Sequence, residues 1–208
     1  MPATLSAVSI PFAHLNLRRN PFGEFSPEEI AALAQVEIDE VAAQLGDPAF
    51  AAQFVGEKGF GKTTHLLAIR ARFPGAGYVH IAEGERGVIP AGRPLLIDEA
   101  QRLTWRQQRK VFRDPVPLVL GTHVDFHRAL TRAGRRVITI RVAERMNTDR
   151  LHDLLNARIR WVRRGDGPLP AIRRQTARRL LEQFGPDVRR IQQDLYLTFQ
   201  RLSGIQDV

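Results

Sequence analysis

The chain has 208 residues, 43% hydrophobic and 25% charged, which suits one α/β domain with a small appendage and a sizeable core. It contains no cysteine, which excludes a disulfide framework and any thiol-based metal or nucleophilic site. The first residues lack the basic and apolar regions of a leader, and no stretch approaches the ~18 apolar residues of a membrane span; a cytoplasmic protein without a membrane partner is expected.

In chain order, residues 1–25 read as an irregular segment interrupted by Pro2, Pro11 and Pro21. Ser26-Pro27-Glu28-Glu29 is a helix start, with Ser as N-cap, Pro at the first position and Glu completing a capping box. Ile30, Leu33, Ala34, Ile38, Val41 and Leu45 then fall on one helical face, and Gly46-Asp47-Pro48 ends that helix. Ala51–Val55 is a short apolar run, expected to be a strand.

That strand feeds Gly56, Glu57, Lys58, Gly59, Phe60, Gly61, Lys62, Thr63 and Thr64, which satisfy G-x-x-x-x-G-K-[ST]. The glycines let successive backbone N–H groups turn towards one anion. Lys62 supplies a point charge to the β- and γ-phosphates, and Thr63 a hydroxyl to Mg²⁺. The helix that follows adds the positive end of its dipole to the same place. ATP with Mg²⁺ is the expected ligand.

Gly77–Ala82 and Pro94–Asp98 read as strands, joined by Glu83–Arg93, which is too rich in Gly and Pro for an ordinary helix. Gln101–Arg113 reads as a helix, Val116–Gly121 as a strand, about Asp125–Ala133 as a helix and Arg136–Val142 as a last strand. The alternation predicts an α/β fold with a parallel sheet of about five strands flanked by helices. From Asn147 the pattern is purely helical, with three apolar stripes. The expected division is therefore an irregular segment over 1–25, a P-loop core over 26–145 and a small helical lid over 146–208.

Leu95–Asp98 is an apolar strand ending in two carboxylates, Asp98 and Glu99. Beside a phosphate loop, Asp98 can hold Mg²⁺ opposite Thr63, and Glu99 can activate the attacking water as a general base. His123 and His127 have a helical metal-ligand spacing but lack an evident third partner, so a helix-start and surface role is expected of them. Trp161 stands among Arg158, Arg160, Arg163 and Arg164, and reads more readily as packing on the lid's apolar stripe than as a base-stacking group. The net charge of +9 is uneven: residues 128–208 carry 18 Arg against 8 acidic residues, while residues 1–127 carry 13 basic against 14 acidic. The C-terminal part is thus either polyanion-facing or covered with solvated arginines.

The phosphate loop, the LLIDEAQ strand end and the helical C-terminal part together resemble AAA+ ATPases, in particular origin-recognition initiators and regulators of TniB, TnsC and ExeA type. The short Asn20-Pro21-Phe22-Gly23 segment resembles the one that precedes the core helix in that family. This resemblance implies that Pro21 and Phe22 line the adenine side and that Thr122 is a polar sensor of the γ-phosphate. It implies that Arg132, Arg135 or Arg136 reaches a neighbouring subunit's nucleotide. It further implies that Arg189, in Gly185-Pro186-Asp187-Val188-Arg189-Arg190, is a second sensor. One departure is the short Glu83–Arg93 connection, which argues against a peptide-threading machine.

The expectation is an ATPase whose ATP-dependent homo-oligomer, formed through the nucleotide site, binds double-stranded DNA without sequence preference or a DNA-bound protein such as a transposase. The alternatives are an ATPase switch acting on a protein without DNA, and a slow-turnover ATP-gated scaffold. A small-molecule kinase is disfavoured by Glu99 and by the absence of an acceptor motif.

Overall fold

The structure, a computed structural model, describes residues 11–208; Pro2 and the rest of residues 1–10 lie outside the described residues. The chain divides into two compact units. The first comprises Phe25–Met146 with Pro186–Val188, and the second takes residues 11–24, Asn147–Gly185 and Arg189–Val208.

The first unit is built on a five-stranded parallel sheet of order β2-β3-β4-β1-β5, with β1 Phe50–Val55, β2 Gly77–His80, β3 Leu95–Asp98, β4 Leu118–Thr122 and β5 Arg136–Arg141. Strands buried on both faces read as continuous apolar runs, because each face must be covered. The faces separate by alternation. Ala51, Leu95, Ile97, Leu118 and Leu120 pack with Val111, Phe112, Phe126 and Leu130 on one side. Phe50, Ala52, Phe54, Leu96, Val119 and Ile140 pack with Val41, Leu45, Leu66 and Ile69 on the other. Gln53 breaks the apolar run of β1 at no cost, since its amide donates to Asp125 and Thr139 and accepts from the Phe126 N–H.

Helices α1 (Pro27–Ala32) and α2 (Asp39–Ala42) replace the single helix that the apolar period predicts. Ser26 and Glu29 form the expected capping box. The apolar side chains of α1 are not buried, however, and the intervening residues include β-branched Val36 and Ile38, so little holds the helix past Leu33. Helix α3 (Lys62–Arg72) follows the phosphate loop, and the β2–β3 connection contains no helix. The helix expected over Gln101–Arg113 is a 3₁₀ turn at Ala100–Arg102 and then α4 (Trp105–Arg113). Thr104 restarts it, its side chain accepting from the Gln107 N–H while Gln107 reaches back to the Thr104 N–H. A short α5 (His127–Arg132) precedes β5.

The second unit contains α6 (Thr148–Trp161), α7 (Arg174–Phe184) and α8 (Val188–Gln200) from Arg189 onward. Its buried positions, Leu151, Leu155, Ile159, Leu180, Ile191, Leu195 and Phe199, follow the three stripes. Residues 11–24 are held by specific bonds within this unit. Arg158 donates to the carbonyls of Pro21 and Gly23, and the Asn20 amide donates to Tyr196 O at 3.0 Å.

Candidate nucleotide-phosphate site

Parallel register brings the carboxyl ends of three strands together: Val55 of β1 lies opposite Thr122 of β4, and Asp98 of β3 opposite Gly121. Open α/β sheets place their ligands at this edge. The loop from Gly56 leaves β1 here and enters α3 through Gly61, whose φ of +93° lies in the left-handed region that glycine adopts without strain.

Lys62 is only 4% exposed. Its Nζ donates to Gly56 O at 2.8 Å and Glu57 O at 3.0 Å, so the loop's own carbonyls hold the ammonium at the mouth of the loop. The ammonium lies 3.3 Å from His123 Nε2 and 4.0 Å from Glu99 Oε1. Thr63 Oγ1 donates to Asp98 Oδ2 at 2.7 Å. Asp98 is fully buried, and its carboxylate also meets His80 Nδ1 at 3.0 Å and the Glu99 N–H at 3.1 Å. A side chain at position 121 would clash here, because a Cβ on Gly121 would sit 2.6 Å from Asp98 Oδ1. The Thr63 hydroxyl and the Asp98 carboxylate are hard oxygen donors converging on one point, a set that fits Mg²⁺.

Glu99 has φ +59°, a left-handed conformation that costs a non-glycine residue about 1 kcal/mol or more. Its carboxylate accepts from the Gln101 amide at 2.8 Å and lies 3.4 Å from His123 Nε2 and 3.5 Å from Arg102. Burial pushes its pKa up; the Gln101 hydrogen bond and then the charges of His123, Lys62 and Arg102 outweigh this and hold it below the ordinary carboxylate range. Glu99 is therefore an ionised acceptor near neutral pH, beside a lysine and behind a phosphate loop.

His123 turns towards this cluster, whereas Thr122 turns away. Thr122 is the last residue of β4, and His123 follows in the bend just beyond it. Thr122 is fully buried and its hydroxyl closes a local turn, donating to Val124 O and accepting from the Val124 N–H. His123 instead lies between Lys62, Glu99 and the Glu57 carboxylate, 3.5 Å away, with its N–H donating to Gln101 Oε1. His127 faces Thr139, so the two histidines do not share a ligand. Among the described residues no cluster of three His, Cys, Asp or Glu side chains could hold a metal ion.

The three arginines before and at β5 differ sharply. Arg135 is 7% exposed and donates to the carbonyls of Pro48, Val111, Phe112, Asp114 and Val116. Burial lowers its pKa, and the guanidinium is committed to the end of α4 rather than to a ligand outside the chain. Arg136 pairs with Asp47 at 3.0 Å and lies over the Phe50 ring. Arg132 is exposed on the last turn of α5. Lys58 and Glu57 are exposed on the loop, Thr64 lies in the first turn of α3 and Phe60 packs against the core beneath Gly56.

In the helical unit, Arg189 is exposed on α8. Pro21 and Phe22 are engaged internally there. The Pro21 carbonyl accepts from Arg158, and Phe22 is buried edge-on against Phe199 with ring centroids 5.0 Å apart.

Sequence reasoning missed His80, Gln101, Arg102 and the inward turn of His123. The available signal was positional, since each lies at or just beyond the end of a strand whose neighbour carries a motif residue.

No protein-family profile and no curated protein matches the sequence. Among solved structures, a point mutant of RuvB from Thermotoga maritima aligns with a TM-score of 0.53 at 15% identity, covering 88% of this chain and 66% of that one. The same protein, described as a Holliday junction branch migration motor, aligns in another structure with a TM-score of 0.49 at 15% identity, over 85% and 68%. Cdc6p from Pyrobaculum aerophilum aligns at 0.43 and 14% identity, over 93% and 62%. This chain thus spans about two thirds of the length of RuvB. At such identities the likeness is one of fold: the chain shares the fold of RuvB, here a five-stranded parallel sheet flanked by helices with a helical C-terminal region.

Proposed function

We propose that the protein binds and hydrolyses ATP and that nucleotide binding drives its self-assembly on double-stranded DNA or on a DNA-bound protein such as a transposase. The observation that carries the enzymatic part is the convergence of Thr63, Asp98, Glu99 and Lys62, with Thr63 2.7 Å from Asp98 and Glu99 4.0 Å from Lys62. The loop N–H groups and Lys62 hold the phosphates. Thr63 and Asp98 hold Mg²⁺, which when bound supplies charge neutralisation at the transferring phosphoryl group. Glu99 takes a proton from the water that attacks the γ-phosphorus as ADP leaves. His123 is the polar group facing this position at the end of β4, and it replaces Thr122 in the sensing role. Of the three arginines, Arg132 is the one we assign to a neighbouring subunit's nucleotide, because Arg135 is committed internally and Arg136 is ion-paired. Arg189 on α8 is assigned as a second phosphate sensor. The DNA part is supported by the basic charge alone.

The deciding experiment is ATP turnover by the wild type against Glu99→Gln. The variant is expected to bind ATP and to lose at least about a hundredfold in rate, since the amide accepts no proton. Unchanged turnover would move the base elsewhere. Size analysis with and without a non-hydrolysable ATP analogue and duplex DNA tests assembly. Assembly without DNA retention, together with capture of an acidic partner, would replace DNA by protein as the target.

A further inference from the structure

Outside the phosphate site, α4 is the element whose chemistry remains unused. Arg106, Arg109, Lys110 and Arg113 recur along its outer face and are exposed, while Val111 and Phe112 bury the inner face in the core. Among the described residues none of these four cations is ion-paired. At the N-terminal end of the same stripe Trp105 is 65% exposed, with the Arg106 guanidinium 5.7 Å from its ring centroid. A shallow groove runs along the helix between Trp105 and Asp114. Leaving a tryptophan in water costs apolar burial, and four like charges on about two and a half turns repel one another. Both costs are recovered by one kind of occupant.

The platform is also rigid. The Thr104–Gln107 capping box fixes the start of α4, and the Gln107 amide is tied to Gly87 O at 2.8 Å. Arg135 fixes its end through the carbonyls of Val111, Phe112 and Asp114. Cations on a pre-ordered helix engage a polyanion with little further loss of side-chain and backbone freedom.

We propose that α4 is a binding surface for single-stranded nucleic acid, in which Arg106, Arg109, Lys110 and Arg113 track the phosphates and a base stacks on Trp105. Charge complementarity selects a polyanion, and the exposed aromatic at the end of the cationic stripe selects unpaired bases, whose faces are open, over a duplex, whose faces are stacked inside. This goes beyond the ATPase reading and beyond duplex binding, and depends on neither.

The chain has two tryptophans, so W161F leaves Trp105 as the only indole reporter. This variant is titrated at low salt with an oligothymidylate of about 16 nucleotides, with duplex DNA and with polyglutamate. The oligonucleotide is expected to quench Trp105 fluorescence, duplex to quench it weakly and polyglutamate not at all. In the otherwise wild-type chain, anisotropy of a labelled oligonucleotide avoids dependence on W161F folding. There W105A is expected to weaken binding by about five- to a hundredfold and W105F to restore most of it. R109A combined with R113A is expected to lower the salt slope by about 1.4, at about 0.7 for each single-strand phosphate that is no longer neutralised. Absence of quenching, equal quenching by polyglutamate, or oligonucleotide affinity unaltered by the α4 substitutions overturns the proposal. Quenching by duplex equal to that by the oligonucleotide also overturns it, while duplex binding that ignores α4 bears on the duplex-DNA reading alone. ATP turnover, measured separately, tests the ATPase.

Discussion

In the helical unit many arginines are engaged by the chain itself: Arg158 donates to Pro21 and Gly23, and Arg163 to Gly165 and Gly167. Arg173, Arg174 and Arg178 pair with Asp207, Asp149 and Glu182. On the phosphate-loop unit the cations are differently disposed, with four exposed and not ion-paired along α4 and a nearly buried Lys62 at the loop. The excess of arginine over acid in residues 128–208 is therefore a poor guide to where a polyanion would bind. A charge already satisfied by a carbonyl or carboxylate adds to the formal total and little to the outward field.

Arg135 is the sharpest test of that distinction. By count it belongs with the basic C-terminal part; by structure it is an internal clamp on five carbonyls. Arg135→Ala leaves buried acceptors without a donor at about 1–3 kcal/mol each, so a loss of at least about 3 kcal/mol is expected. Thermal unfolding should show a midpoint lowered by at least about 6 °C, taking ~2–4 °C per kcal/mol for a chain of this size. A variant as stable as the wild type would return Arg135 to the pool of external cations.

Lys62→Ala comes next. Here the cation is held by carbonyls as Arg135 is, but at the open edge of the sheet rather than beneath a helix. Its loss should weaken ATP binding by at least about a hundredfold, or ~3 kcal/mol, with a far smaller change in unfolding midpoint. Titration with a fluorescent ATP analogue separates the two clamps. Equal damage to binding and stability would erase the difference between them.

The two kinds of site also differ in how readily they are read from sequence. The strands were visible because doubly buried strands are written as apolar runs, and Gly56, Lys62, Thr63, Asp98 and Glu99 because their chemistry is tied to a fixed local spacing. The break between α1 and α2 was not visible, since the apolar period continues through residues that the tertiary structure leaves only half-buried. His80 and His123 reach Asp98 and Glu99 only because β2, β3 and β4 stop in register, a property of strand order rather than of any one segment. The resemblance points to Thr122 and leaves His123 a helix-start and surface role, because no single segment shows that the chain turns inward just past the end of β4.

Gln101 offers a smaller and more specific effect. Its amide is the leading favourable contribution that brings the Glu99 carboxyl below its ordinary range against burial. A base with a depressed pKa is ionised above that value, so turnover should hold on acidification and fall only as pH drops through it. Any stability the ionised group contributes is likewise present above the unfolded carboxyl's pKa and lost on acidification. Gln101→Leu should move the acid limb of the rate–pH profile upward while leaving the plateau largely in place. A limb that does not move would mean that another group sets it.

The smallest expected effect is the most useful control on the charge comparison. Arg178 forms an exposed i, i+4 pair with Glu182 at 3.0 Å. Such a pair is worth about 0.3–0.5 kcal/mol, so Arg178→Ala should lower the unfolding midpoint by at most ~2 °C. It removes the same formal charge as R109A. If paired arginines are spent on their acids, Arg178→Ala should leave both oligonucleotide affinity and its salt slope unchanged, whereas R109A lowers both. An equal loss from the two substitutions would mean that net charge, not the exposed stripe on α4, governs attraction to nucleic acid, and the tally of arginines would then have been the better guide.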